Sequence, residues 1–264
     1  MDIKIIFSDI DGTLINQHYQ ITPRTREALK NAIDQNIIFV PVSARMPEAI
    51  ATVTDQLTDH CPMIAYNGAL ILDEHKNVVA SHPLPGETAR EICQLIEVSY
   101  PDVAWNVYGN HTWLSQSHHR ERIEFEEDVV KVLSTPAVLD DILTMQDVHK
   151  LLLMGEPEHL DIVETNLKTL YPQLSIARSS RILLEIMNQG IRKGAAISQL
   201  CDYYHIVPED TLSFGDNYND LDMLKTTGMA YVMGNAPKEI KGMIHNVTDD
   251  NNHDGIAAVL ESLL

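Results

Sequence analysis

The chain has 264 residues, 44% of them hydrophobic, and its 19 basic and 38 acidic residues give a formal net charge of -19. This length allows one large domain or two modest ones. The negative charge disfavours nucleic acid and anionic membrane surfaces as partners, although a small anionic substrate can still bind in a locally positive pocket. Three scattered cysteines without Cys-x-x-Cys spacing, the lack of a signal peptide and the lack of an apolar run long enough to span a membrane together favour a cytoplasmic protein.

The first eighty or so residues alternate between strand and helix patterns. They predict, in order, a strand over 3–8, a helix that begins at Pro23 after the N-cap Thr22, a strand over 37–42, a helix over 46–57 and a strand over 63–66. This alternation is typical of a parallel α/β sheet. Asn67-Gly68 then predicts a tight turn, and two short strands follow.

The pattern changes at about residue 82. It predicts a helix over 86–100, a hairpin over 103–116, a weakly patterned stretch over 118–145, a strand over 148–154, a helix over 158–170 and a hairpin over 174–187. Paired strands that alternate with helices indicate a separate α+β domain.

After Gly190 the first pattern returns. It predicts a helix over 193–204, a strand over 211–215, a short helix from Asn219, a strand over 229–232 and a closing helix after Gly255. We therefore predict an α/β protein. Residues 1–81 and 188–264 form a Rossmann-like core with a parallel sheet, and an α+β domain over 82–187 is inserted into it.

Polar side chains follow the predicted core strands at the points where the strands end. They are Asp9, Asp11 and Thr13; Ser43, Ala44 and Arg45; Asn67 and Gly68; and Asp216, Asn217, Asn219 and Asp220. In an open parallel sheet, ligands bind beyond the carboxyl ends of the strands. These residues are therefore predicted to gather at one edge of the sheet.

Asp9 and Asp11 lie two residues apart directly after a buried strand. On an extended segment their side chains face the same way, and two carboxylates held close together need a compensating cation. A turn with Asx capping is the alternative, since Asp-Gly is common in turns. A calcium loop of the EF-hand type is excluded, because Leu14 stands where that loop needs glycine and Gln20 where it needs glutamate.

Asp216 and Asp220 add a second acidic group after another strand, although capping of a helix start explains such residues equally well. Combined with Asp9 and Asp11, they predict an oxygen-only site for a hard ion. Mg²⁺ fits such a site best, because it keeps several waters and commonly binds together with phosphate.

Two further features indicate an anion. Lys193 opens a predicted helix, where the macrodipole disfavours a cation unless an anion is bound nearby. Ser43 and the Ala44 amide lie at the start of another predicted helix, which is a common anion site. An exposed lysine and simple N-capping by Ser43 are the alternatives.

The motifs DIDGT, Ser43, Lys193 and GDNYND, in this order, resemble the four motifs of the haloacid dehalogenase-like hydrolases. YNGA at 66–69, KGAAISQL at 193–200, GDNYNDLDML at 215–224 and HDGIAAVL at 253–260 resemble the Cof-type subgroup. Members of that subgroup carry a large α/β cap between motifs two and three, at the position of the predicted inserted domain. Ala44 departs from the pattern, since many members have glycine there.

The resemblance implies hydrolysis of a phosphate monoester through a phosphoaspartate on Asp9, with Asp11 as general acid and base. It implies a Mg²⁺ ion held by Asp9, Asp216 and the Ile10 carbonyl, with Asp11 and Asp220 as further metal-site residues. The implied phosphate-binding residues are Ile10, Ser43, Ala44, Lys193 and Asn219, and Thr13, Arg45, Asn67 and Gly68 are assigned to the substrate or the site loops.

The expected substrates are small phosphorylated metabolites, such as sugar phosphates, pyridoxal phosphate or flavin mononucleotide. The expected assembly is a monomer or a small homo-oligomer. Two other functions remain open at this stage. One is phosphoryl transfer between two sugar positions, as in phosphomutases, and the other is a non-catalytic module that binds a phosphorylated metabolite.

Overall fold

The computed structural model describes residues 3–264. The chain divides into two compact units, and the first is built from both ends of the chain. The first unit contains the residues up to Arg45, Ile50–Ala80 and Arg192–Leu264, and the second contains Met46–Ala49 and Ser81–Ile191.

The elements follow in three segments along the chain. The first segment contains β1 (Ile5–Ser8), α1 (Pro23–Asp34), β2 (Ile38–Pro41), α2 (Pro47–Thr54), β3 (Met63–Ala65), β4 (Leu70–Leu72) and β5 (Val78–Ser81). The second contains α3 (Gly86–Ser99), β6 (Ala104–Gly109), β7 (Thr112–Gln116), α4 (Arg120–Val130), β8 (Thr135–Ala137), β9 (Lys150–Met154), α5 (Pro157–Leu170), β10 (Leu174–Ser180) and β11 (Leu183–Asn188). The third contains α6 (Lys193–Tyr204), β12 (Thr211–Gly215), α7 (Leu221–Thr226), β13 (Met229–Val232), α8 (Lys238–Lys241), β14 (Asn246–Val247) and α9 (Gly255–Leu263).

The first unit contains the predicted parallel sheet, with the strand order β14-β13-β12-β1-β2. β1 lies between β12 and β2: Ile5 pairs with Thr211 of β12 on one side and with Ile38 of β2 on the other, both in parallel. All four residues of β1 are buried. Because parallel strands end at the same edge, the residues after β1, β2 and β12 are brought together.

β3 differs from the prediction. It pairs antiparallel with β4 in a small sheet of the order β3-β4-β5, and it meets the parallel sheet through a bridge between Val42 and Ile64. β3 has three residues before the chain turns at Tyr66–Gly68 and runs back as β4. One edge of β3 therefore pairs with β4, and the other edge is short enough to make only the parallel bridge, in which the Ser43 amide donates to the Ile64 carbonyl.

Helix α1 starts as its sequence predicts. The Thr22 hydroxyl accepts a hydrogen bond from the Thr25 amide, and Pro23 occupies the first helical position. Ala28, Leu29 and Ala32 of the predicted apolar face are buried, so the helix packs by that face.

The second unit is a six-stranded sheet of the order β10-β11-β9-β6-β7-β8. Alternate residues of its strands, including Trp105 and Val107, form one core cluster with residues of α3 and α5, so both helices pack on the same face. α4, β8 and a short 3₁₀ helix at Leu139–Thr144 occupy the stretch in which the sequence pattern was weak. The pattern of α4 was weak because one of its buried residues is Glu127, which accepts hydrogen bonds from Arg120 and Ser134.

Within residues 3–264, no helix combines the length and the apolar character that crossing a membrane requires.

Candidate active site

Three carboxylates from distant parts of the sequence meet at the edge of the parallel sheet. Asp9 follows β1, Asp216 follows β12, and Asp220 ends the one-turn helix Tyr218–Asp220. The Asp9 amide donates to the Phe214 carbonyl, which extends the pairing of β1 and β12 to the site itself. One oxygen from each carboxylate lies within 4.8 Å of the others, so the three side chains can share one metal ion. The predicted meeting of Asp9 and Asp216 is therefore present.

Lys193, the first residue of α6, places its ammonium among these carboxylates. Its Nζ lies 2.5 Å from Oδ1 of Asp9 and 2.6 Å from Oδ1 of Asp220, and 1% of the side chain is exposed. Burial lowers the pKa of Lys193, but Asp220 and Asp9 outweigh burial and raise the pKa above its ordinary value. The lysine is therefore a fixed positive charge at physiological pH.

For Asp9, the effect of burial on the pKa outweighs the effect of the neighbouring opposite charge. Burial raises the pKa of Asp9 well above its ordinary value, Lys193 lowers it, and the neighbouring carboxylates of Asp220, Asp216 and Asp11 raise it further. One ammonium thus leaves the negative charge of this site only partly balanced.

Asp220 is fully buried, and the donors around it occupy both of its oxygens. Oδ1 accepts from Lys193, and Oδ2 accepts from the backbone amides of Asp216 and Asn217, both at 2.9 Å. These contacts fix the lysine and the loop that carries Asp216. Asp220 therefore organises the site even where it contributes no oxygen to an ion.

Asp216 is held through both of its oxygens. The Thr13 hydroxyl donates to Oδ1 at 2.7 Å, and the Asn235 side-chain amide donates to Oδ2 at 3.2 Å. Burial raises the pKa of Asp216 to about 6, although the hydrogen bond from Thr13 opposes this rise. Thr13 was among the predicted loop residues, whereas Asn235 was missed, because Asn-Ala-Pro after a strand reads as an ordinary turn.

Asp11 lies apart from the three-carboxylate group. Its two oxygens accept hydrogen bonds from Nε and Nη2 of Arg45, at 2.8 and 2.6 Å, in a bidentate pair. A turn begins at Ile10, so the segment is not extended as assumed, and Asp11 lies outside the group of carboxylate oxygens that Asp9, Asp216 and Asp220 form. Arg45 is 9% exposed and Asp11 is half exposed, so a buried guanidinium holds a carboxylate that solvent reaches.

The Ile10 carbonyl, which was predicted to face the ion, has backbone partners. It accepts backbone amide hydrogen bonds from Leu14 at 3.0 Å and from Ile15 at 3.1 Å. The carbonyl therefore closes the turn after β1, and this turn places Gly12 and Thr13 against Asp216.

Ser43 and Ala44 lie after β2, but they do not begin a helix. α2 begins at Pro47, so the helix-terminus interpretation of these two residues is wrong. Ser43 is buried, and its hydroxyl accepts a hydrogen bond from the Arg45 amide at 3.2 Å inside a bend. The local reason is Pro47, which favours the first turn of a helix and fixes its start there.

A left-handed loop supports this bend. Tyr66, Asn67 and Gly68 have φ values of 51°, 54° and 109°, and the first two are unusual for residues with a side chain. The Asn67 amide donates to the Ser43 carbonyl, and the Tyr66 amide donates to the Arg45 carbonyl. Two successive residues in a rare conformation, Tyr66 and Asn67, are thus held in place by the segment that carries Ser43 and Arg45.

Asn67 also meets the second acidic segment, since its side-chain oxygen accepts from Nδ2 of Asn219 at 3.4 Å. Gly68 allows the same loop to approach α6: a Cβ atom at this position would lie 2.8 Å from the Cβ of Ala196. The structure therefore brings together residues from all four predicted motifs, namely Asp9, Asp11, Thr13, Ser43, Arg45, Asn67, Gly68, Lys193, Asp216, Asn219 and Asp220.

Comparison with known proteins agrees with this geometry. A family model described as haloacid dehalogenase-like hydrolase matches residues 6–260. A Haemophilus influenzae protein, provisionally named a phosphatase, is 36% identical over 261 residues, which cover 99% of this chain and 98% of that protein. A Bacillus subtilis phosphatase, named for 5-amino-6-(5-phospho-D-ribitylamino)uracil, is 26% identical and is matched over 99% of this chain and 98% of its own length.

The fold has close counterparts among solved structures. The crystal structure of a haloacid dehalogenase-like hydrolase from Bacteroides thetaiotaomicron superposes with a TM-score of 0.92 at 28% identity, covering 99% of this chain and 100% of that one. The chain belongs to the haloacid dehalogenase-like hydrolases, and it is a phosphoric monoester hydrolase. The predicted fold class and the resemblance to the Cof-type subgroup are confirmed.

Proposed function

We propose that this chain is a Mg²⁺-dependent phosphatase that hydrolyses small phosphorylated metabolites through a phosphoaspartate on Asp9. The observation that carries the proposal is the position of the Asp9 carboxylate. It is buried, it contacts the ammonium of Lys193, and one of its oxygens lies within 4.8 Å of oxygens of Asp216 and Asp220. A nucleophilic carboxylate needs such surroundings, because it must approach a phosphoryl group that is itself negatively charged.

The residues at this edge fit Mg²⁺ in charge and in donor type. Asp9, Asp216 and Asp220 offer oxygen donors only, which suit a hard divalent cation. Lys193 supplies one positive charge against three carboxylates, and burial raises the pKa of both Asp9 and Asp216. Asp9 and Asp216 would hold the ion, and when bound it would reduce the repulsion between the Asp9 carboxylate and the phosphoryl oxygens.

In the first step, an Asp9 oxygen attacks phosphorus, a bond from this oxygen to phosphorus forms, and the ester bond from phosphorus to oxygen breaks. Asp11 keeps one oxygen on Arg45, while its other oxygen, released by the guanidinium and protonated, gives its proton to the departing alkoxide oxygen. In the second step, Asp11 takes a proton from water, and the water oxygen attacks phosphorus. The bond between phosphorus and the Asp9 oxygen breaks, inorganic phosphate leaves, and the Asp9 carboxylate is restored.

The remaining polar groups bind the phosphoryl oxygens in this proposal. Lys193, Ser43, the Ala44 amide and Asn219 have suitable donors, and they come from three different segments at the same sheet edge. The loop at Tyr66–Gly68 holds the segment of Ser43 in place. Positioning and charge stabilisation of this kind are the main requirements of phosphoryl transfer.

The proposed substrates are sugar phosphates and similar small phosphate esters, with pyridoxal phosphate and flavin mononucleotide as further candidates. We propose that the second unit is the cap that selects among them. The test is a phosphate-release screen over these compounds and the phosphorylated uracil compound for which the Bacillus subtilis relative is named, with Mg²⁺ and with a chelator. Mg²⁺-dependent release from at least one metabolite supports the proposal, and release that persists in chelator contradicts the metal requirement.

Loss of Arg45 is expected to slow the hydrolysis of phosphate esters with poor leaving groups most. In Arg45→Met the bidentate contact with Asp11 disappears, so the proton donor is no longer held in one orientation. General acid catalysis contributes about 10²–10⁴-fold, and we expect kcat/KM for an alkyl phosphate to fall by about tenfold or more. Hydrolysis of p-nitrophenyl phosphate should fall less, because p-nitrophenolate leaves without a proton.

The measurement is the ratio of kcat/KM for the two substrates. Arg26→Met is the matched control, because Arg26 contacts Gln56 outside the site. An equal loss of kcat/KM for both substrates in Arg45→Met would show that Arg45 does not act through Asp11.

Stabilisation by Mg²⁺ is expected to be greater at neutral than at acidic pH. The pKa of Asp216 is raised to about 6 in the metal-free protein, whereas the pKa of an aspartate in the unfolded chain is near 3.8. The Asp216 carboxyl is therefore protonated more readily in the folded protein. The metal-free fold therefore loses stability as the pH rises from the unfolded-state pKa to the folded-state pKa of Asp216. Above the folded-state pKa the carboxylate is ionised, and a bound ion recovers the lost stability there.

The measurement is Tm with and without Mg²⁺ at about pH 5 and about pH 7.5. At a ~100-fold excess over Kd the ion adds about 2.7 kcal/mol, and each kcal/mol corresponds to ~2–4 °C. Asp216→Asn removes the titrating group and should remove most of the difference. A Mg²⁺-induced rise in Tm that is identical at both pH values would contradict the prediction.

A further inference from the structure

Asn235 lies in the turn after β13 and joins two parts of the site that are far apart in sequence. Its side-chain nitrogen donates to the Gly12 carbonyl at 2.9 Å and to Oδ2 of Asp216 at 3.2 Å. Gly12 belongs to the turn between Asp9 and Thr13, and Asp216 follows β12. One exposed amide thus holds a backbone carbonyl of one segment and a carboxylate of another.

The position of this amide is set by the backbone beside it. The Met233 amide donates to the Gly215 carbonyl, so the turn of Asn235 is fastened to the residue just before Asp216. Gly12 has a φ of +86°, and a Cβ atom at that position would lie 2.5 Å from Oδ2 of Asp216. The loop and the carboxylate are therefore in direct contact, and glycine is required for this approach.

The two donors leave Asp216 oriented and still able to bind an ion. Thr13 donates to Oδ1 and Asn235 donates to Oδ2, so rotation of the carboxylate is opposed on both sides. An ionised carboxylate has about four lone-pair sites, and these two hydrogen bonds use one on each oxygen. Hydrogen bonds to a ligating carboxylate commonly tune metal affinity by about 10–100-fold.

We propose that Asn235 is a positioning residue for the metal: it orients the Asp216 carboxylate for Mg²⁺ and fastens it to the Gly12 loop. The inference rests on the proposed function, because it requires the same Mg²⁺ site. It adds a residue that the four motifs do not contain. Asn235 acts through Asp216 and the Gly12 carbonyl, so its effect belongs to binding of the ion before any substrate is present.

The test is direct titration of Mg²⁺ into metal-free protein by calorimetry, without substrate. Asn235→Ala and Asn235→Leu both remove the donor, and leucine keeps most of the side-chain volume. We expect Kd for Mg²⁺ to rise by about 10-fold or more in both. The Tm of the metal-free protein should stay near that of the wild type, because Asn235 is exposed.

Asn246→Ala is the matched control, since Asn246 also donates from an exposed side chain to a backbone carbonyl, that of Ala230. Unchanged Mg²⁺ affinity in this control together with weakened affinity in both Asn235 variants supports the proposal. A Kd within about twofold of the wild type in the Asn235 variants overturns it, and only it. Absence of Mg²⁺ binding in the wild-type protein would overturn the proposed function as well.

Discussion

Asp9→Asn is expected to abolish phosphate release while the protein remains folded. Asparagine has nearly the shape of aspartate but cannot attack phosphorus as an anion, so kcat should fall by at least ~1000-fold. Burial raises the pKa of Asp9 well above its ordinary value, so the metal-free fold already disfavours the ionised carboxylate. The Tm of the metal-free variant should therefore equal or exceed that of the wild type, because Lys193 keeps its contact with Asp220.

Two measurements check this result. Phosphate release reports turnover, and mass spectrometry of acid-quenched protein detects the phosphoaspartate, which should be present in the wild type and absent from the variant. Asp59→Asn is the control, since Asp59 is exposed and lies outside the site. Undiminished hydrolysis by a folded Asp9→Asn protein would rule out Asp9 as the nucleophile.

Lys193→Met is expected to damage both turnover and stability. Methionine fills much of the same space, but it leaves the buried carboxylates of Asp9 and Asp220 without their shared cation. Removing one partner of a buried ion pair costs about 3–5 kcal/mol, and ~2–4 °C per kcal/mol makes this a loss on the order of ten degrees in Tm. If Lys193 binds the phosphoryl group as proposed, its loss should lower kcat by about 100-fold or more.

A double variant separates the charge effect from simple loss of packing. Lys193→Met combined with Asp9→Asn leaves one buried carboxylate fewer without a partner, so its Tm should be higher than that of Lys193→Met alone. Lys30→Met serves as the surface control, since Lys30 is exposed. A double variant that is no more stable than Lys193→Met would show that the ammonium contributes packing and not charge balance.

The sequence was sufficient to predict the parallel sheet and the meeting of its acidic residues. Ile5, Ile6 and Phe7 form a continuous apolar run, which is typical of a strand buried on both faces, and Asp9 follows it after Ser8. Asp216 directly follows β12, which is buried along its whole length. The rule that ligands bind beyond the carboxyl ends of parallel strands then suffices to predict that the two aspartates meet.

The sequence pattern was not sufficient to predict the contacts of single side chains. The bidentate pair between Asp11 and Arg45, for example, was not predicted. Ser43 reads as an N-cap, yet the helix starts at Pro47. These outcomes depend on backbone turns of a few residues, and neither apolar periodicity nor residue type specifies them.

Asn235 illustrates a second limit. Its importance lies in two contacts with segments more than two hundred residues and about twenty residues away, at Gly12 and Asp216. Its neighbours along the chain are those of any polar turn. Such a residue is recognised only when three-dimensional distances are known.

The pairing of β1 with β12 also governs when the protein can mature during translation. Ile5 is synthesised early, but its partner Thr211 follows only 206 residues later, since 211 minus 5 is 206. At ~5–20 residues per second, the ribosome needs about 10–40 s to make the intervening chain. Throughout that interval one edge of β1, whose first three residues are apolar, lacks its neighbour and is open to pairing with other chains.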